Sequence, residues 1–137
     1  MPRILVVDDR LDVRMSLEAI LEFAGYELVS AENGKVALDV LNRDMSENKL
    51  FDLVITDVMM PELDGIELMT AIRVGYSDKS PPIMVISGGG YNMAADDLLE
   101  AANRMADHVL RKPFTAEELI EAVEYLLKKD KPATGET

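Results

Sequence analysis

The chain contains no cysteine and no tryptophan, and only 5% of its 137 residues are aromatic. Without thiols there is neither a disulfide framework nor thiolate chemistry, an inventory that permits a cytoplasmic location. The scarcity of rings leaves the core to Leu, Ile, Val, Ala and nine Met. Such a core suits helices packed on a sheet better than a pocket for stacking bases. Positive charge is scarce too, with 14 Lys and Arg against 26 Asp and Glu and a formal net charge of −12. Nucleic acid and anionic membrane surfaces both require a basic patch that displaces counterions, so neither is expected as a partner. Basic-faced proteins and divalent cations fit this balance. No apolar run approaches a membrane span, and Ile4-Leu5-Val6-Val7 meets two acids far short of the length of a signal sequence.

What is present reads as one α/β domain, since 15.2 kDa supports one proper core but not two. Strands are expected at Arg3 to Val7, Glu27 to Ala31, Leu53 to Thr56, Ile83 to Ile86 and His108 to Leu110. Between them lie helical patterns. Val13, Leu17, Ile20, Leu21 and Ala24 share one face before Gly25, and Val36, Ala37, Val40 and Leu41 form a second stripe after Asn33-Gly34. Polar residues from Asn42 to Lys49 read as a loop. A third helix is expected over Gly65 to Arg73, a connector over Gly75 to Pro82, and a fourth helix over Ala94 to Met105. The last helix opens on Thr115 with Glu118 three residues on, a capping box, and carries Leu119, Ile120, Val123, Leu126 and Leu127 inward. The domain is expected over residues 1–129, with 130–137 a disordered tail. Five strands alternating with five helices predict a parallel sheet covered on both faces.

Right-handed crossovers bring the carboxyl ends of all five strands to one edge, where ligands gather in open α/β sheets. On that edge stand Asp8 and Asp9 after the first strand, Asp57 after the third, Ser87 after the fourth and Lys112 after the fifth. One aspartate at a strand end is ordinarily a turn or cap residue. Five chemically matched groups from four strand ends are a constellation. Like charges about 4 Å apart repel by roughly 4 kcal/mol per pair at an effective dielectric near 20, so the acids call for compensation. Lys112 and a hard divalent cation such as Mg²⁺ or Mn²⁺ would offset them. Asp57 can then act as a nucleophile toward phosphorus, with Ser87 and Lys112 binding the remaining phosphoryl oxygens.

At these residues the sequence resembles the response-regulator receiver domain of two-component signalling. The resemblance rests on Asp8-Asp9, on the run from Asp57 through Met59, Pro61 and Asp64 to Gly65, on Ser87 with Gly88 behind it, and on Lys112-Pro113-Phe114. It spans about Arg3 to Lys129. It implies a (βα)5 flavodoxin-like, doubly wound sheet of order 2-1-3-4-5 in a three-layer α/β/α sandwich. It also implies that Asp57 accepts a phosphoryl group from the phosphohistidine of a sensor histidine kinase or histidine phosphotransfer protein. Asp9, Asp57 and the Met59 carbonyl would ligate the metal, with Asp8 helping directly or through water. Lys112 would pair with Asp57 and the phosphoryl group, Ser87 would hydrogen-bond that group, and Lys112-Pro113 would be cis. Such a protein is a signalling phosphoacceptor that assists its own phosphorylation and dephosphorylation, rather than an enzyme on an outside substrate.

One departure stands out. The family usually carries an aromatic residue three places before the lysine, and here that place is Val109. The output change is therefore expected to rely on the loop from Gly88 onward, re-aiming Tyr91 to Met105. His108, the sole histidine, and Arg10 read as structural or surface residues. The leading expectation is a stand-alone, cytoplasmic, monomeric receiver with a downstream protein target, a dimer being the alternative oligomeric state. The alternatives for function are a fragment of a larger regulator or a phosphorylation-independent interaction module. A phosphatase with an Asp-x-Asp motif is disfavoured because Arg10 and Met59 stand two places after Asp8 and Asp57. A flavin carrier is disfavoured because Asp8-Asp9 would repel the flavin phosphate.

Overall fold

The computed structural model describes residues 1–58, 65–87 and 104–129. Five strands, β1 (Arg3–Val7), β2 (Glu27–Ala31), β3 (Leu53–Asp57), β4 (Ile83–Ser87) and β5 (His108–Arg111), form one sheet of order β2-β1-β3-β4-β5. Every pairing is parallel, with Val7 opposite both Ala31 and Thr56, Asp57 opposite Ile86, and Ser87 opposite Arg111. The expected sheet and strand order are found. The described helices are α1 (Leu11–Phe23), α2 (Gly34–Ser46), α3 (Gly65–Tyr76) and α4 (Ala116–Lys129). Of the helix expected over Ala94 to Met105, only Arg104 and Met105 are among the described residues, and both are helical.

Strand alternation decides which layer each side chain enters. Leu5, Val7, Val54, Ile83 and Val85 pack with Ala37, Val40 and Leu41 of α2 and Leu68, Met69 and Ile72 of α3. Ile4, Val6, Ile55, Met84 and Ile86 pack with Leu17 and Leu21 of α1 and Leu119, Val123 and Leu126 of α4. Both faces of the sheet are thus buried, which is why its strands read as unbroken apolar runs. At roughly 1.5–3 kcal/mol per fully buried aliphatic side chain, these two layers supply the main drive for folding.

Helix ends follow their caps. Asn33 Oδ1 accepts the Val36 N–H at 2.8 Å at the start of α2. The Thr115 capping box is formed in both directions: Glu118 N–H donates to Thr115 Oγ1 at 3.0 Å, and Thr115 N–H donates to Glu118 Oε1 at 2.8 Å. Two expectations are corrected. Helix α2 runs through Asn42 to Ser46, part of the stretch read as a loop. Its last turn is anchored by buried Asp44, which Arg3 and Arg43 neutralise, so a polar sequence hides an inward-facing position. Helix α3 continues past Arg73 to Tyr76 before a 3-10 turn at Ser77–Lys79. Arg73 there donates to Ser80 Oγ and pairs with Asp107, fastening the extra turn to the sheet.

Candidate functional site

Of the chemistry-bearing side chains expected on the carboxyl edge of the sheet, the three carboxylates come together. One oxygen each from Asp8, Asp9 and Asp57 lies within 4.8 Å of the others. Asp8 is 1% exposed, Asp57 half-buried and Asp9 open to solvent. Ser87 is buried at the end of β4, and its carbonyl accepts the Lys112 backbone N–H at 2.9 Å, so the ends of β4 and β5 are tied together. The Lys112 side chain is close enough for its charge to act on Asp8. Met59, expected to offer its carbonyl, lies in 59–64, outside the described residues. The Gly88 to Gly90 loop and Tyr91 to 103 lie outside them as well.

Local folding explains why Asp57 stands where it does. Strand β3 delivers it at the sheet edge, and the chain returns after residues 59–64 to begin α3 directly against the strand end. The Gly65 N–H donates to the Val58 carbonyl at 2.8 Å. A Cβ on Gly65 would lie 2.4 Å from the Asp57 carbonyl oxygen and 2.9 Å from Val58 Cα, both backbone atoms that cannot step aside. Only glycine allows this approach. The sequence pattern marks Gly65 as a turn residue, but its role as the seat under Asp57 needs the tertiary return of the chain.

Asp8 is held from several sides. Its N–H donates to the Ala31 carbonyl at 3.2 Å, Oδ1 accepts the Arg10 N–H at 2.9 Å, and its carbonyl accepts from Arg14 Nη1 at 2.7 Å. Oδ2 is buried and has no hydrogen-bond donor among the described residues. Burial pushes the Asp8 carboxyl above the ordinary carboxylate range, and the neighbouring Asp9 charge adds to the rise. The Arg10 N–H, Lys112 and Arg14 oppose it. A buried, donorless carboxylate oxygen is costly unless a cation completes it. All the donors gathered here are oxygens, which suits a hard divalent ion.

The Arg10 guanidinium pairs with Asp12 at 3.1 Å in solvent. His108 is half-buried at the start of β5, with its ring centroid 6.4 Å from that of Tyr125. Val109 packs into the layer shared with α2 and α3. The Lys112-Pro113 peptide is cis, as the resemblance implies. Arg14 was not singled out by the sequence, because its polar side chain reads as ordinary helix surface. Its position one turn into the helix after the acid pair is the signal that could have found it.

Comparison with known proteins agrees with this geometry. Residues 4–124 match the family described as the response regulator receiver domain. The chain is 38% identical to the transcriptional regulatory protein PrrA of Mycobacterium bovis over 128 residues, covering 93% of this chain and 51% of that protein. It is also 38% identical to the response regulator MprA of Mycolicibacterium vanbaalenii over 133 residues, covering 97% and 53% respectively. The chain spans about half the length of these curated relatives. Among solved structures, the receiver domain of a Francisella response regulator superposes with a TM-score of 0.76 at 30% identity, covering 96% of this chain and all of that one (100%). A receiver domain protein of Clostridium thermocellum gives 0.79 at 26% identity, with 94% and 96% covered.

Proposed function

The chain belongs to the response-regulator receiver family, and from that footing we propose that Asp57 is its phosphoacceptor, charged by the phosphohistidine of a sensor histidine kinase or histidine phosphotransfer protein. The observation that carries this reading is the convergence of Asp8, Asp9 and Asp57 within 4.8 Å, with one buried Asp8 oxygen lacking a donor among the described residues. Such a cluster is a poor way to stabilise a fold and a suitable way to hold a cation beside a nucleophile.

Asp8, Asp9 and Asp57 would hold Mg²⁺ or Mn²⁺, and by the family pattern the Met59 carbonyl would be a further donor. When bound, the ion supplies positive charge that offsets the carboxylates and the incoming phosphoryl oxygens. The chain's own residues do the rest. An Asp57 carboxylate oxygen attacks phosphorus, the bond from phosphorus to the histidine nitrogen breaks, and its electron pair returns to the imidazole. Lys112 binds the transferred group by charge and Ser87 by its hydroxyl, so catalysis consists of placement and charge neutralisation. The acylphosphate then biases the partner-binding face, and the same pocket assists its hydrolysis.

The receiver unit comprises residues 1–129. The whole chain's net charge of −12 suits a protein partner with a basic docking face. Among the described residues no helix is long and apolar enough to cross a membrane; a cytoplasmic location is part of this proposal. A stand-alone, monomeric receiver with a downstream protein target is the first reading. The second, a receiver within a longer regulator, is favoured by coverage of only 51% of PrrA. The size of the natural gene product on an immunoblot separates them.

The direct test is incubation with acetyl phosphate and Mg²⁺, followed by intact mass spectrometry. Wild type gains the mass of one phosphoryl group, and Asp57→Ala gains none. Labelling of Asp57→Ala equal to that of wild type would overturn the assignment.

A further inference from the structure

The geometry points to Arg14 as a positioning residue for the metal site: its guanidinium fixes the backbone of the acid pair and so sets cation affinity, although it is itself a cation. This inference rests on the metal reading above.

The acid pair sits in a turn that three hydrogen bonds hold at Asp8, and the bond to its carbonyl comes from a side chain. Helix α1 begins right after it, and Arg10 at the N-cap is extended and makes no side-chain capping hydrogen bond. Arg14 lies in the first helical turn, its N–H donating to the Arg10 carbonyl at 3.0 Å. From there its half-buried side chain reaches back to the Asp8 main-chain carbonyl, Nη1 to O at 2.7 Å. That carbonyl belongs to the peptide joining Asp8 to Asp9. Holding the plane of this peptide, with the next one held by the Arg10 N–H bond to Asp8 Oδ1, restricts the Cα–Cβ direction of Asp9, the exposed ligand, relative to Asp8, the buried one. The Asp8 N–H to Ala31 and the Arg10 N–H to Oδ1 pin the other side of the turn. Of these three bonds, only the one from Arg14 brings a positive charge.

Two consequences of that arrangement oppose each other. As a positive charge near the carboxylates, Arg14 lowers the local negative potential and, by Coulomb's law alone, weakens binding of any divalent cation. As a brace on the ligand backbone, it spares the cation the cost of ordering Asp9. Outer partners that orient metal ligands are commonly worth ten- to a hundredfold in affinity. The bond here is short, charge-assisted and partly screened from water, while the guanidinium field is partly exposed. The bracing effect therefore outweighs the repulsion, and the sign of a mutation separates the two.

The experiment titrates the full chain with Mn²⁺, following the electron paramagnetic resonance signal of the free ion, with Mg²⁺ as competitor. It reads metal binding without phosphorylation. Arg14→Met is expected to weaken Mn²⁺ binding about tenfold, although it removes a competing positive charge. Arg14→Lys, which keeps a charged donor, is expected to restore affinity to within about threefold of wild type. Arg14→Gln, neutral and too short to reach the carbonyl, is expected to behave like Arg14→Met and serves if Arg14→Met does not fold. Melting of the metal-free variants checks that weaker binding is not a loosened fold. Binding by the neutral variants as tight as wild type or tighter overturns the brace and leaves the metal site standing. Wild type that leaves all Mn²⁺ free overturns the metal reading itself, and this inference with it.

Discussion

The two ends of the parallel sheet handle charge in opposite ways. At the amino ends of the strands, acids are matched. Arg3 stacks over the Phe51 ring at 4.4 Å while donating to Glu27 and Asp44, each at 2.9 Å. On the other side of the same end, Arg73 binds Asp107 at 2.7 Å, and Asp107 Oδ2 also accepts the Ile83 N–H at 2.8 Å. At the carboxyl ends three carboxylates crowd within 4.8 Å, and a buried Asp8 oxygen lacks a donor among the described residues. The contrast shows in proton affinity: the Arg3 hydrogen bond, helped by Arg43, holds Asp44 below the ordinary carboxylate range, whereas burial pushes Asp8 above it. One end of the fold is arranged for stability. The other keeps a charge imbalance that a ligand can relieve, and functional sites are where such imbalance is found.

Substitution can break this asymmetry at either end. The largest effect is expected at the matched end. Arg3→Met strips buried Asp44 of its main partner and removes the clamp between β1, β2 and α2. A cost of about 2 kcal/mol is expected in urea denaturation, below the range for a fully orphaned buried charge because Arg43 keeps its contact with Asp44. At the unmatched end the sign reverses. Asp8→Asn removes a desolvated charge from among like charges, so the metal-free protein is expected to gain about 1 kcal/mol, seen as a rise in melting temperature of a few degrees. The same variant should lose stabilisation by Mg²⁺, and a fall in its metal-free stability would contradict the contrast.

The smallest effect concerns pH, and the two ends again differ in sign. Asp44 has its folded pKa lowered, so its contribution is present above the unfolded value near 3.8 and lost as pH falls through the folded value beneath it. Asp8 has its folded pKa raised, so in metal-free protein its contribution is full below that same reference and lost as pH rises through the folded value above it. Urea midpoints measured with chelator across acid pH should therefore show an acid limb that Arg3→Met flattens. A second limb, at higher pH, should be flattened by Asp8→Asn. Identical profiles for the three proteins would remove the electrostatic basis of the comparison.

Much of the site was legible because strand ends are legible. An apolar run that stops at a carboxylate locates Asp57 at the sheet edge without coordinates, and the same reading places Asp8, Asp9, Ser87 and Lys112. The Thr115 capping box was readable for a similar reason, since both partners lie within one turn. Most of what escaped involves contacts between distant segments. Asp44 looked like loop because hydropathy cannot see that Arg3, 41 residues earlier, makes it a core position. Arg73 gave no hint that it would reach Asp107, 34 residues on. Arg14 looked like helix surface because its partner is a backbone carbonyl, which has no signature in sequence.

The sequence by itself determined the periodic apolar runs, the turns that end them and the residue types that stand at those ends. These follow from local chain chemistry, in which each side chain's hydropathy and backbone preference act over a few residues. Tertiary structure alone decided that Gly65 seats against Asp57, that Arg14 braces Asp8, and that one carboxylate oxygen is sealed in without a donor among the described residues. Those outcomes depend on how the chain on either side of a strand end is brought back against it. That return is fixed only when both faces of the sheet are packed.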